Sequence, residues 1–179
     1  MNYNLSQIAE ILSIDYKNDN AVIDTLLIDS RKLSSPKTSL FFALDGPRRN
    51  GHLFIKELYK KGVRCFIVTQ SIDNQKYPEA FFLQVKNSLD ALQKIAAHHR
   101  SRFNIEVIGI TGSNGKTVVK EWLYQLMEPD KNIIRSPKSY NSQIGVPLSV
   151  WQMDEKNNLA IFEAGISRPG EMERLQKII

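Results

Sequence analysis

An α/β fold is what this sequence predicts, and two observations carry the prediction. Short apolar runs of strand length alternate with helix-period segments through most of the 179 residues, the pattern of strands joined by crossover helices. The stretch IEVIGITGSNGKTVVKEW, residues 105–122, also runs an apolar segment into a glycine-rich loop and then into a helix that begins with a lysine. The alternation restarts after Phe103, so the reading is two units. Residues 1–100 form a small N-terminal α/β domain. Residues 101–179 form the first part of a parallel α/β domain of phosphate-loop type, with the polar segment 98–104 as the seam.

Taken in order, Ile8, Ile11 and Leu12 share one face of a short helix over residues 5–13. Residues 22–31 and 39–44 read as strands joined by a polar loop containing Pro36. Residues 52–62 read as a helix with Leu53, Ile55, Leu58 and Tyr59 as its apolar positions. Its lysines come late, and Gly62 stands just past its end, where a left-handed residue is favoured. Strands over 63–69 and 80–85 follow, and Ser88 is placed to cap a helix that turns Leu89, Leu92, Ile95 and Ala96 inward. In the second unit, a strand over 107–110 enters the glycine loop and an amphipathic helix over 116–127 leaves it. Residues 132–136 and 159–165 are strands, the latter ending in a carboxylate, and 170–179 starts the next helix. Three strands are fewer than the four or five such a parallel sheet normally uses. The second unit therefore reads as truncated.

Composition narrows the classes. A hydrophobic content of 42% is ordinary for a globular chain. The formal net charge of +5 comes from scattered basic residues without interleaved aromatics, so a phosphate-rich small ligand accounts for the sign and nucleic acid is not expected. The one cysteine, Cys65, sits inside an apolar run, which leaves no disulfide framework and fits a reducing compartment. The adjacent His98 and His99 have no metal-ligand spacing. No segment approaches a membrane span, and the N-terminus lacks a leader pattern, so neither membrane insertion nor secretion is expected and the cytoplasm is the expected location.

The common phosphate-loop pattern G-x-x-x-x-G-K-[ST] needs a glycine five places before Gly115, where Ile110 stands. The chemical parts are nonetheless present. Gly112 and Gly115 let the backbone N–H groups of the loop, through Ser113 and Asn114, turn toward phosphate oxygens. The helix that follows offers the positive end of its dipole. Lys116 is placed to bridge outer phosphates, and the Thr117 hydroxyl to ligate Mg²⁺. Glu163 ends an apolar strand, as an acid that holds a metal or polarises a water does; alone it could equally be a solvated strand-end carboxylate.

The displaced glycine leads further. T-G-[ST]-[NK]-G-K-T after an apolar strand resembles the Mur ligases and the related folylpolyglutamate synthetases, which are ATP-dependent amide-forming enzymes. Residues 29–68, DSRKLSSPKTSLFFALDGPRRNGHLFIKELYKKGVRCFIV, resemble the UDP-binding domain of the Mur ligases that add the third residue and the terminal dipeptide of the peptidoglycan stem. NSQIGVPLSVW (141–151) and FEAGISRPGEME (162–173) resemble segments of the dipeptide-adding branch, and Ser113 in the loop points the same way.

The resemblance implies ATP and Mg²⁺ as cofactors, with UDP-N-acetylmuramoyl-tripeptide and D-alanyl-D-alanine as substrates. ATP would phosphorylate the tripeptide carboxylate, the dipeptide amine would attack the acyl phosphate, and phosphate would leave. It implies catalytic roles for Lys116 and Glu163 and phosphate binding by Gly112, Ser113, Asn114, Gly115, Lys116 and Thr117. Metal binding would fall to Thr117 and Glu163, and UDP-substrate contacts to Ser30, Arg31, Gly46, Arg48, Arg49 and Asn141. For Arg48 and Arg49 a solvated basic loop is the competing account. It further implies that later metal, adenine and dipeptide contacts lie beyond Ile179, so that these residues alone do not catalyse ligation. The middle segment also resembles forms fused to a downstream alanine racemase domain. Val118, Ser142 and Arg168 depart from the family pattern. The alternatives are the ligase adding the third stem residue and a non-catalytic UDP-sugar or nucleotide binding module.

Overall fold

A computed structural model of the chain describes residues 2–16, 21–46 and 49–179, with Arg49 described by its backbone alone. The chain divides into two compact units, Met1–Leu92 and Gln93–Ile179. No helix among the described residues is long and apolar enough to cross a membrane.

In the first unit, β1 (Tyr3–Asn4) leads into α1 (Leu5–Ile11), and β2 (Val22–Ile23) returns antiparallel to β1. β3 (Thr25–Leu27) and β4 (Ser39–Phe42) are joined through short 3-10 turns. The hairpin β5 (Asp45–Gly46) and β6 (Arg49–Asn50) follows, then α2 (Ile55–Lys60), β7 (Cys65–Val68), β8 (Phe81–Gln84) and α3 (Ser88–Ser101), which runs on into the second unit. The main sheet has the order β3-β4-β7-β8 with every pairing parallel. Its two central strands are buried along their whole length, as continuous apolar runs in a parallel sheet require. Phe66 stacks on Phe82 at 5.1 Å between centroids and meets Phe41 edge-on. Burial pushes the Cys65 thiol up to about 12, so it behaves as a small apolar side chain.

Several expectations shift by a residue or two for local reasons. A capping box between Asn4 and Gln7 starts α1 at Leu5, so Ile8 faces inward as expected together with Leu5 and Ala9, while Ile11 and Leu12 are half-buried. The expected strand over 22–31 breaks at Asp24, whose carboxylate accepts the hydroxyls of Thr25 and Thr38, both at 2.7 Å. A 3-10 turn over Gly51–Phe54 precedes α2, which rotates Leu53 out to 77% exposure and buries His52 instead. Asn87, not Ser88, caps α3. Its Oδ1 accepts from the N–H groups of Leu89 and Asp90, while the Ser88 hydroxyl donates to the Ala43 carbonyl.

The second unit contains β9 (Glu106–Ile110), α4 (Lys116–Met127), β10 (Ile133–Arg135), α5 (Gly145–Val150), β11 (Leu159–Glu163) and α6 (Glu171–Leu175). Its sheet has the order β10-β11-β9, all parallel, with β11 central and buried at all five positions. The α5 run GVPLSV has poor helix propensity. Val146, Pro147 and Val150 are buried, so packing holds what propensity does not.

The helix after the loop is not amphipathic in the expected sense. Val118, Val119, Trp122 and Leu126 are exposed, and the one fully buried side chain of α4 is Lys120. Thr117 faces β11. A period of 3.6 then turns Lys120 and Tyr124 to the same side and sends the apolar residues outward.

His99 on α3 is buried, donates from Nε2 to the Met153 carbonyl at 3.0 Å, and packs between Phe103 and Trp151. Burial lowers its pKa to about 4. Because the neutral form is favoured in the fold, its contribution is complete above about pH 6.5 and drains away as pH falls toward 4. Denaturant unfolding at pH 7 and pH 4.5 should show a loss on the order of 2 kcal/mol from this residue. In His99→Gln that part of the slope should vanish.

Candidate functional site

The loop between β9 and α4 is exposed and held open by two left-handed glycines, Gly112 at φ +141° and Gly115 at φ +77°. A side chain at either position would be strained. Gly115 immediately precedes α4, a twelve-residue helix, so the loop N–H groups and the helix dipole are directed at the same space. The Lys116 ammonium reaches back to the Gly112 carbonyl at 2.6 Å. This keeps the cation over the loop.

β9 and β11 are in parallel register, with Glu163 opposite Ile110, the last residue before the loop. The carboxylate therefore emerges at the same end of the sheet as the glycines. The Thr117 hydroxyl donates to Glu163 Oε2 at 3.1 Å and lies 3.3 Å from the Ser139 hydroxyl. The Asn141 amide is 3.5 Å from the same carboxylate oxygen. Glu163 is fully buried, and its own N–H donates to the equally buried Ser136 hydroxyl at 3.1 Å.

Its charge is answered by Lys120, also fully buried, whose Nζ lies 2.9 Å from Oε1. The ammonium donates to the carbonyls of Ser136 and Lys138 and pairs with Glu121 at 3.1 Å. With its N–H groups spent there, the approach to Oε1 is ionic, and that oxygen has no hydrogen-bond partner. Glu121 is paired in turn with Arg135, which lies over the Tyr124 ring.

The two downstream motifs dock on one another and on this carboxylate. The Gly165 N–H donates to the Asn141 carbonyl at 2.7 Å, and a Cβ on Gly165 would meet the Asn141 side chain at 3.0 Å. Gln143 bonds the Glu171 carbonyl and receives the Gln93 amide. Glu171 accepts from the N–H groups of Ser167 and Arg168, which holds its carboxyl below the usual range and fixes the turn into α6. Arg168, a departure from the family pattern, contributes its backbone N–H to that turn.

The residues expected to contact a UDP group are divided. Ser30, Arg31 and Gly46 lie in the first unit, the first two on the 3-10 turn that follows β3 and Gly46 on β5 just after β4. All three are beyond the carboxyl ends of these strands, where ligands of open α/β sheets bind. Ser30 is buried. Arg31 is exposed and doubly bonded to Asp29, whose carboxyl it holds down at about 2. Arg48 and the Arg49 side chain lie outside the described residues. Asn141 belongs to the second unit, against Glu163. The hairpin carrying Gly46 is pinned by His52, whose Nε2 accepts the Thr69 N–H while Nδ1 faces Asn50 and Asp45. The open cleft around Asp24, Lys37, Thr38 and Arg64 lies at the opposite, amino end of the same strands.

Sequence reasoning passed over Lys120, Ser136, Ser139 and the His52 network. A signal existed for Lys120: it stands three residues after Thr117 and four before Tyr124, on the face the loop must present inward. The donor set suits magnesium: the Thr117 hydroxyl and the Glu163 Oε2 beside it are hard oxygen ligands brought together at one point. Among the described residues no three His, Cys, Asp or Glu side chains gather.

Comparison with known proteins agrees with this geometry. A model described as Mur ligase family, catalytic domain, matches residues 22–100, and one described as Mur ligase middle domain matches residues 110–179. The UDP-N-acetylmuramoyl-tripeptide–D-alanyl-D-alanine ligase of Bacillus subtilis is 32% identical over 89% of this chain and 34% of its own length. That of Buchnera aphidicola (strain Bp) is 36% identical over 87% and 33%. A crystal structure of MurF from Acinetobacter baumannii superposes with a TM-score of 0.89 at 27% identity, covering 99% of this chain and 39% of that one. MurF ligase from Thermotoga maritima in complex with ADP gives 0.74 at 30%, covering 86% and 35%. The chain thus spans about a third of the length of the relatives it matches. With two models of one family covering most of its length and glycine loop, Asn141 segment and Glu163 strand assembled at one sheet end, the chain belongs to the Mur ligase family.

Proposed function

We propose that these residues are the substrate-binding and ATP-binding portions of a MurF-type ligase, which joins D-alanyl-D-alanine to UDP-N-acetylmuramoyl-tripeptide in peptidoglycan precursor synthesis. Residues 1–100 take the UDP-linked substrate and 101–179 the ATP phosphates. One observation carries the reading: Thr117, the second residue of the loop helix, is bonded to Glu163 across two in-register parallel strands. A phosphate cradle and a carboxylate thereby share one small space. The names of the relatives supply the substrate pair.

The reaction needs a tripeptide carboxylate oxygen to attack the terminal phosphorus of ATP, with ADP leaving. The dipeptide amine then attacks the acyl carbon, loses a proton, and phosphate departs. Both first-step partners are anions, so the barrier is dominated by charge. Lys116 and the α4 N-terminus neutralise the transferring phosphoryl group. Thr117 and Glu163 would hold magnesium, which supplies further neutralisation at the phosphate oxygens. Asn141 braces the Glu163 carboxylate. In the first unit Arg31 offers a guanidinium to a diphosphate, and Asp29 sets its direction. A cytoplasmic location belongs to the same proposal, as does a downstream racemase domain, which the Asn141 segment alone supports.

Phosphate release from ATP, measured on the ligase polypeptide that contains these residues, tests the reading. Release should require both UDP-tripeptide and D-alanyl-D-alanine. Turnover with a free diamino acid and UDP-dipeptide instead would assign the chain to the neighbouring branch. Lys116→Ala should lower kcat by more than about 100-fold. Arg31→Ala should raise KM for the UDP-linked substrate on the order of tenfold with little change in kcat.

A further inference from the structure

Lys120 is unused by the mechanism above, yet it is the most deeply buried cation among the described residues. Its ammonium is enclosed by oxygens: the carbonyls of Ser136 and Lys138 and the carboxylates of Glu121 and Glu163. A cage of that kind is what a metal ion would occupy, and here a covalently attached cation fills it. The charges in the cluster cancel. Lys120 balances Glu163, and Arg135 balances Glu121 at 3.2 Å. The groups on the other side of Glu163 are neutral: Thr117, Ser139 and Asn141.

We propose that Lys120 is a positioning residue that neutralises Glu163 and makes the magnesium site conditional on phosphate. This rests on the reading of Glu163 as a metal-site carboxylate. A carboxylate already balanced by an ammonium 2.9 Å away attracts a second cation weakly. Among the described residues no further acidic side chains gather to compensate. Phosphate oxygens held by the adjacent loop supply negative charge that these residues lack. The ion is therefore admitted with its nucleotide, and Glu163 does not capture a divalent cation by itself. The anchoring of Lys120 to the 136 and 138 carbonyls also ties the segment carrying Ser139 and Asn141 to the same ammonium, so one cation sets both the charge and the shape of the site.

Mn²⁺ binding without nucleotide, followed by the loss of the free-ion electron paramagnetic resonance signal, tests this on the present chain, with circular dichroism and melting to check folding. Wild type should bind Mn²⁺ at Glu163 no more tightly than about 1 mM, so that Glu163→Gln leaves its titration unchanged. Lys120→Met, which keeps the stem and removes the charge, should tighten binding by at least about tenfold. Lys120→Met/Glu163→Gln should lose that gain, and Lys120→Arg should remain as wild type. A wild-type affinity that falls tenfold or more in Glu163→Gln would overturn the role of Lys120 while leaving Glu163 a metal ligand. A folded Lys120→Met that binds no better than wild type would overturn both. Should Lys120→Met not fold, the comparison of wild type with Glu163→Gln still decides the matter.

Discussion

Glu163 stands opposite Ile110 because β9 and β11 run parallel in register, and the meeting of the glycine loop, Thr117 and the carboxylate follows from that pairing. The strand that delivers the glycine loop and the strand that delivers the carboxylate end at the same level. Thr117, two residues into α4, can then reach across to Glu163. A slip of one residue would turn the carboxylate to the other face of the sheet. Register is secured by the burial of all five β11 side chains and by the ladder to β10 on its other side.

The same pairing explains why α4 carries its apolar residues outward. Ordinary helix patterning would bury Val119 and Trp122, yet the loop fixes the rotation of the helix by the position of its first turn. Lys120 is thereby driven inward, and it is tolerated there because oxygens surround it. A buried lysine without such partners would be expelled or deprotonated. The Ser136 hydroxyl accepts the Glu163 N–H and the Ser139 hydroxyl lies beside that of Thr117, so small side chains close around the pair.

Much of the fold was legible because parallel strands announce themselves as short continuous apolar runs, and because Gly62, Gly112 and Gly115 mark turns that only certain backbone angles permit. The helix bounds at residues 116–127 follow directly from the loop. The illegible parts were set by tertiary contacts. Leu53 and His52 exchange burial because a 3-10 turn offsets the helix by a fraction of a turn. Asn87 outcompetes Ser88 as a cap because Ser88 has a partner on a distant strand. Helix α5 lacks a propensity signal altogether. In the site, the loop and Glu163 could be read from residue type and order. Lys120 could not be weighed without knowing that four oxygens converge on it.

The separation in sequence between Thr117 and Glu163, 46 residues, has a consequence for biosynthesis. At about 5–20 residues per second on the ribosome, the phosphate loop emerges a few seconds before the strand that completes it. During that interval β9 has neither its neighbour nor the carboxylate that balances Lys120. Long-range parallel pairing is also slow to nucleate. Within this unit the corner where loop and carboxylate meet closes only once β11 arrives, because β11 lies between β10 and β9 in the sheet.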